Sequence, residues 1–167
     1  MNFQKVIIMK FENATQKNVY EILLSWFDND IKEGTIHQTP DYPAFVFKQG
    51  SAMAKITVSP LDEDEAVIYV AATVVTGAKI TPELMSFLLT QNGNSLFGAF
   101  GIDPDDGAII LKHDILGSTC DKKELLTSMA FVAVHADLID DKIVANCGGQ
   151  RPVDLLSQLR RWTETIQ

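Results

Sequence analysis

Residues 53–83 read MAKITVSPLDEDEAVIYVAATVVTGAKITPE. The first six alternate, with alanine, isoleucine and valine on one face of a strand, and the β-branched run over residues 66–75 has the composition of a second, longer strand. The intervening residues 60–65 are of hairpin length, so the two strands are predicted to be antiparallel. Residues 81–83, Thr-Pro-Glu, then begin a helix with a capping threonine, a proline at the first helical position and an acid in the first turn.

The segments on either side of this stretch complete an α+β domain. Apolar periodicity, turn residues and helix caps predict a helix over 14–31, a strand over 44–47, a helix from 82 to about 91 ended by Gly93, strands over 96–102 and 108–113, a helix over 122–146 and a last helix from Pro152. The order is α-β-β-β-α-β-β-α plus a C-terminal helix. It predicts an antiparallel five-stranded sheet with helices packed against it, in a single domain spanning 1–167 whose core is 14–146, with an N-terminal arm over 1–12.

Composition and charge exclude several function classes. The formal net charge of −8 disfavours binding to nucleic acid or to anionic membranes, although it is compatible with a basic protein partner. No apolar run is long enough for a signal peptide or a membrane span. Cys120 and Cys147 have no metal-ligand spacing, so no metal and no cofactor are predicted. Two thiols in a chain with an adequate core favour a reducing compartment, the cytoplasm.

The candidate catalytic patterns each have a simpler structural explanation. Residues 103–107, Asp-Pro-Asp-Asp-Gly, suit a hairpin turn better than a calcium loop, because the glycine and the last ligand fall at the wrong positions. His113 and Asp114 are adjacent on a strand and would point to opposite faces. Cys120 precedes a helix, where amide dipoles could stabilise a reactive thiolate, but no base is identifiable beside it. No catalytic residue is predicted.

One part of the chain carries a family resemblance. The stretch Asn94-Ser-Leu-Phe-Gly-Ala-Phe-Gly-Ile-Asp103, then Gly107-Ala-Ile-Ile-Leu-Lys-His113, then the capped helix from Asp121 to Asp140-Asp141 resembles the YbjN-like proteins of the type III secretion chaperone-like fold. The resemblance in element order extends over residues 14–146. It implies a five-stranded antiparallel sheet, no catalytic motif, and a dimer whose helix and sheet surfaces hold an extended segment of a client protein.

Three functions compete at this point. The favoured one is a non-enzymatic, chaperone-like protein- or peptide-binding module; the alternatives are a regulatory or structural homodimer without a client groove, and an enzyme with a cryptic site. The predicted partner groove combines the apolar stripe of the first helix with the first strand: Val19, Leu23, Trp26, Phe27, Phe45 and Phe47. Trp26 and Phe45 are expected to be partly exposed because each lies at the end of its element, although all six could be core residues. The predicted homodimer interface is Leu84, Phe87 and Leu88.

Overall fold

The computed structural model of the chain describes residues 9–156. Its helices are α1 (Ala14–Trp26), α2 (Asp28–Glu33), α3 (Pro82–Asn94) and α4 (Lys122–Cys147); its strands are β1 (Ile36–Gln38), β2 (Ala44–Gln49), β3 (Ala52–Pro60), β4 (Ala66–Val75), β5 (Ala99–Ile102) and β6 (Ile109–Leu116). Residues 152–156 are helical again. The rest of the predicted last helix, and residues 1–8 of the predicted arm, lie outside the described residues.

The strands form one antiparallel sheet in the order β1-β2-β3-β4-β6-β5. The predicted α+β class and antiparallel sheet are therefore confirmed, with six strands instead of five. The additional strand is β1, whose Ile36 pairs with Phe47 of β2. Three residues are too few to show a period of two, so the sequence contains no usable signal for β1.

The core lies between one face of the sheet and the helices α1 and α4. Phe45, Ile56 and Val70 are aligned across β2, β3 and β4 on this face, and all three are fully buried. α1 packs on β3 and β4, while α4 packs on β4, β3, β6 and β2. The face of α4 toward the sheet is a buried stripe: Leu125, Met129, Val132, Ala133, Ala136 and Ile143. One apolar layer thus joins both helices to the long central strands.

Two predicted helix boundaries are wrong. The predicted helix over 14–31 is two helices, because the chain turns at Phe27 (φ −98°, ψ 5°), whose side chain is fully buried. The Ser25 hydroxyl also donates to the Ile22 carbonyl, a local bond that bends helices. The second error is at Gly93. It lies inside the last turn of α3 without a positive φ, so α3 continues to Asn94.

Candidate functional site

The six residues predicted to line one groove separate into three locations. Phe27 and Phe45 lie in the core, with ring centroids 5.1 Å apart, and Tyr20 stacks on Phe45 at 4.9 Å. The expectation that Phe45 is partly exposed is wrong: it has 0% exposure, because β2 is paired on both sides and covered by α1. Phe47 lines a separate cleft with His37, Val46 and Met53.

Val19, Leu23 and Trp26 remain together beside a cleft of about 260 Å³, called here the α1 cleft. Val19 and Leu23 are buried, whereas Trp26 is only partly buried, as was expected for Trp26 from the sequence. Ile22, next to Leu23 in the sequence, is 40% exposed. The lining comes from α1, the β3–β4 loop and the β6–α4 turn: Thr15, Asn18, Val19, Ile22, Leu23, Trp26, Asp64, Glu65, Gly117, Ser118 and Cys120.

Hydrogen bonds tie α1 to the β3–β4 loop, one wall of the α1 cleft. The Asn13 side chain caps α1 by accepting from the Gln16 amide (2.8 Å), and its own Nδ2 donates to the Asp62 carbonyl (3.1 Å). Thr15 Oγ1 donates to the Glu63 carbonyl at 2.9 Å. These bonds fix the position of the acidic loop against the start of α1.

The β6–α4 turn is held to the same loop and forms the opposite wall. The Gly117 amide donates to the Ala66 carbonyl at 2.7 Å. At the far end, Lys122 Nζ donates to the Trp26 carbonyl at 3.0 Å. A side chain at position 117 would meet Val19 Cγ2 at 2.9 Å, so glycine lets the turn approach α1 this closely. The cleft is a preorganised surface with an apolar floor.

The electrostatics of the α1 cleft are acidic. The Glu65 carboxylate accepts from the Ser118 amide (3.0 Å) and from the Ser118 hydroxyl, and these bonds lower the pKa of Glu65. Asp64 is exposed on the same rim. Burial, then the charges of Glu124 and Asp121, raise the pKa of Cys120 to about 11. A raised pKa keeps the thiol protonated at neutral pH and disfavours the alternative of a reactive thiolate at this helix start.

The other candidate catalytic and metal-binding side chains form structural contacts. In the 103–107 turn, the Asp103 and Asp106 carboxylates accept from the amides of Asp105 and Ala108, as a hairpin turn requires. His113 faces α4 and lies 2.8 Å from the Ser128 hydroxyl, while Asp114 pairs with Lys112 at 3.0 Å. Within residues 9–156, no three His, Cys, Asp or Glu side chains are grouped so that they could hold a metal ion.

The predicted interface residues on α3 are mostly internal. Leu84 and Leu88 are buried in the chain's own core, and Phe87 is half-buried with the Lys142 ammonium 4.3 Å from its ring centroid. The outward face of α3 instead presents Met85 (43% exposed) and Leu89 (69% exposed). The sequence located this helix and its apolar residues but did not separate the inner positions from the outer ones.

Sequence reasoning missed half of the α1 cleft. Gly117 and Ser118 join β6 to α4 and become functional candidates only through their position opposite α1. In the sequence they appear only as a glycine between a predicted strand and a capped helix. Such a glycine indicates a turn, but it does not indicate which element the turn packs against. In the sequence the acidic run 62–65 indicates a solvated loop, with docking of a basic partner as the alternative, and nothing in it indicates a position beside α1.

The chain belongs to the family described as T3SS (YopN, CesT) and YbjN peptide-binding chaperone 1, which matches residues 31–155. This confirms the predicted family and the class of function: a chaperone-like, peptide-binding domain. A comparison with curated protein sequences finds no match. Throughout residues 9–156, no helix is both long enough and apolar enough to cross a membrane.

Two solved structures have the same fold. A chain in the crystal structure of the ExsC–ExsE complex is similar with a TM-score of 0.54 and 16% identity, over 78% of this chain and 96% of that one. A chain in the structure of the HopA1–SchA chaperone–effector complex is similar with a TM-score of 0.54 and 12% identity, over 74% of this chain and 94% of that one. At these identities the likeness concerns the fold alone.

Proposed function

We propose that this chaperone-family domain holds an extended segment of a partner protein in the α1 cleft. Trp26 is the observation that carries the proposal: a large aromatic side chain left partly open, beside the exposed Ile22 and above the buried Val19 and Leu23. Partly exposed tryptophans in apolar depressions are frequent anchors of protein interfaces. The revised site keeps three of the six predicted groove residues and excludes Phe27 and Phe45.

The size of the α1 cleft favours a side chain of a peptide over a small molecule. Its volume of about 260 Å³ is below the roughly 300–1,000 Å³ that is usual for small-molecule sites. Its walls are joined by hydrogen bonds to backbone carbonyls, one from the Thr15 hydroxyl and one from the Gly117 amide, so ordering them upon binding costs little. An apolar residue of the partner would enter beside Trp26.

The charge of the α1 cleft defines the rest of the proposed ligand. Asp64 and Glu65 line it within a chain of formal net charge −8, so a basic residue next to the inserted apolar one is favoured. Glu65 is already engaged with Ser118, which leaves Asp64 as the more available carboxylate. The proposed ligand is an extended apolar segment flanked by lysine or arginine.

Tryptophan fluorescence tests this proposal directly. The chain has two tryptophans, so a Trp162→Phe protein reports on Trp26 alone. Titration with apolar peptides flanked by lysine should shift the Trp26 emission, and the same peptides flanked by glutamate should bind more weakly. No emission change with any apolar peptide would exclude the α1 cleft as the binding site.

A pair of alanine variants separates binding from folding. Trp26→Ala should abolish peptide binding while the free energy of unfolding falls by about 1 kcal/mol, well below the ~3–5 kcal/mol of a core aromatic. Leu138→Ala, at a 67% exposed position of α4 away from the cleft, is the matched control and should retain binding. A Trp26→Ala protein that is strongly destabilised would identify Trp26 as a core residue.

The homodimer remains a prediction, and we propose the outward face of α3 as its surface. Met85 and Leu89 are the exposed large apolar residues of this helix, whereas Phe87 is turned toward Lys142 of α4. Two-fold pairing is the commonest assembly, and it would cover both. Sedimentation should give twice the chain mass of 18.5 kDa, and Leu89→Lys should restore the single-chain mass while Leu138→Lys does not. A native protein of 18.5 kDa at micromolar concentration would refute the dimer.

A non-enzymatic role in the cytoplasm completes the proposal. Its support is that the candidate groups of the sequence have structural partners: His113 with Ser128, and Asp114 with Lys112. Cys120 and Cys147 are both free thiols, which suits a reducing compartment.

A further inference from the structure

A cluster of three side chains, none of them in α1, attaches the β2–β3 hairpin to α4. The Ser51 amide donates to Asp137 Oδ1 at 2.5 Å. The Ser51 hydroxyl oxygen lies 2.5 Å from Asp137 Oδ1 and also 2.5 Å from Asp140 Oδ2. Gly50 has a φ of +57°, and a side chain there would collide with the Asp137 carboxylate. The turn is thus shaped to receive α4.

If both carboxylates of this cluster were ionised, it would have too few hydrogens to form both contacts with the Ser51 hydroxyl. A serine hydroxyl has one hydrogen, so it can donate to Asp137 or to Asp140, but not to both. If both acids were ionised, one carboxylate oxygen would face the serine lone pairs at 2.5 Å without a hydrogen between them. A second hydrogen on one of the two carboxyl groups would supply the missing donor.

Burial identifies the carboxyl group that holds the second hydrogen. Asp140 is 1% exposed, and its other oxygen, Oδ1, is buried without a hydrogen-bond partner in the described part of the chain. An ionised carboxylate in that position would lack the donors that a buried charge requires. Asp137 is less buried and receives both the amide and the hydroxyl of Ser51. Asp140 is the acid and Asp137 the carboxylate.

We propose that Asp140 is held as a neutral carboxylic acid that donates to the Ser51 hydroxyl, which in turn donates to ionised Asp137, so that the hairpin is fastened to α4 by a buried proton. We call this arrangement the hairpin latch. None of its three residues lines the α1 cleft.

The surrounding charges are consistent with this assignment. Burial raises the pKa of Asp140; the Ser51 contact and the Asp141 amide oppose the rise, the negative charge of Asp141 adds to it, and Arg151 opposes it. Hydrogen bonds from Ser51 lower the pKa of Asp137, and Arg151 contributes in the same direction. Arg151 itself is bound to Asp141 at 2.8 Å and to Asp154 at 2.7 Å, so much of its charge is already balanced.

The two shifts set a pH window for the hairpin latch. Asp140 has a raised pKa, so its contribution is complete at low pH and is lost as the pH rises through its folded-state pKa. Asp137 has a lowered pKa, so its contribution is lost as the pH falls through that value. The latch is closed in the pH range between the folded-state pKa values of Asp137 and Asp140, one of which lies below the ordinary aspartate value of 3.8 and the other above it.

An open latch would alter a surface of the sheet. Lys48 and Met53 flank the hairpin turn and line the cleft that also contains Phe47. Releasing Ser51 from α4 removes the only hydrogen bonds that join the turn at residues 50–51 to that helix within residues 9–156. The position of both cleft-lining side chains would then depend on pH.

Carboxyl-carbon NMR of the full chain, combined with amide hydrogen exchange, tests the latch. We expect Asp140 to titrate above the ordinary aspartate value of 3.8. Above that midpoint the protection factor of the Ser51 amide should fall by up to about tenfold per pH unit, the limit for loss of one proton. Titration of Asp140 at or below the ordinary value would overturn the proposal, and this measurement needs no variant.

Two isosteric variants provide the matched comparison. Asp140→Asn replaces the acid by an amide that donates to Ser51 at any pH, so the Ser51 protection factor should become independent of pH in this range. Asp141→Asn removes the same charge from the adjacent exposed position and should leave the pH dependence in place. Equal loss of the pH dependence in both variants would show a general charge effect and would also overturn the latch.

Discussion

The inner and the outer side of α1 carry similar apolar side chains but have different surroundings. On the inner side, Leu23 and the adjoining Phe27 are fully enclosed, and Phe27 packs edge-on against Phe45. On the outer side, Ile22 and Trp26 adjoin an open cleft with an acidic rim. The difference shows that an apolar stripe wider than its sheet buries one edge and leaves the other exposed, and the exposed edge is where we propose that the partner binds.

The largest expected effect concerns the inner side. Phe27→Ala should lower the free energy of unfolding by roughly 3–5 kcal/mol, because it removes a fully buried ring and leaves a cavity beside Phe45. Urea denaturation measures this loss. Ile22→Ala, at a 40% exposed position of the same helix, is the control and should cost about 1 kcal/mol or less. Similar losses in the two variants would remove the distinction between the sides.

The second effect concerns the thiol on the wall of the α1 cleft. Because the pKa of Cys120 is raised from 9.0 to about 11, its alkylation at pH 8 should be about 100-fold slower than that of an ordinary thiol. Mass spectrometry of iodoacetamide-treated protein follows this rate, with urea-unfolded protein as the control. Rapid alkylation of Cys120 in the folded protein would mean that this wall of the cleft is open to water.

The third effect concerns the close packing of the β6–α4 turn against α1. Gly117→Ala should destabilise by about 1–3 kcal/mol, because the added carbon meets both Val19 Cγ2 (2.9 Å) and the Ala66 carbonyl oxygen (3.0 Å). Gly93→Ala is the matched control: it lies in α3, with no atom near the added carbon, and should stabilise by roughly 0.5–1 kcal/mol. Opposite signs in thermal unfolding are expected. A neutral Gly117→Ala would show that the turn can withdraw from α1 without cost.

The sequence predicts elements well where a local pattern decides them. β4 and the start of α4 were located from β-branched composition and from the Asp121 cap, whose side chain accepts from the Glu124 amide at 2.7 Å. The three-residue strand β1 and the turn at Phe27 have no local signature. They depend on pairing with Phe47 and on burial against Phe45, which are contacts across the sheet.

The candidate site was only partly predictable for the same reason. Periodicity identified the stripe containing Leu23 and Trp26, yet it could not distinguish the enclosed edge from the open one. That distinction depends on the turn containing Gly117, which is nearly a hundred residues further along the chain. The hairpin latch was missed because Ser51, Asp137 and Asp140 share no sequence motif.

The smallest expected effect tests the acidic rim. Asp64→Asn should leave the free energy of unfolding within about 0.5 kcal/mol, because the side chain is exposed. It should weaken binding of a lysine-flanked peptide by up to about fivefold at low salt, mainly through slower association, because exposed charge pairs contribute up to about 1 kcal/mol. The difference should vanish as salt screens the charges.

Asp105→Asn makes the same charge change in the exposed hairpin at the opposite end of β6 and should have a smaller effect. Stopped-flow mixing over a range of salt concentrations measures both variants. Equal slowing would assign the effect to net charge and leave the rim without a specific role.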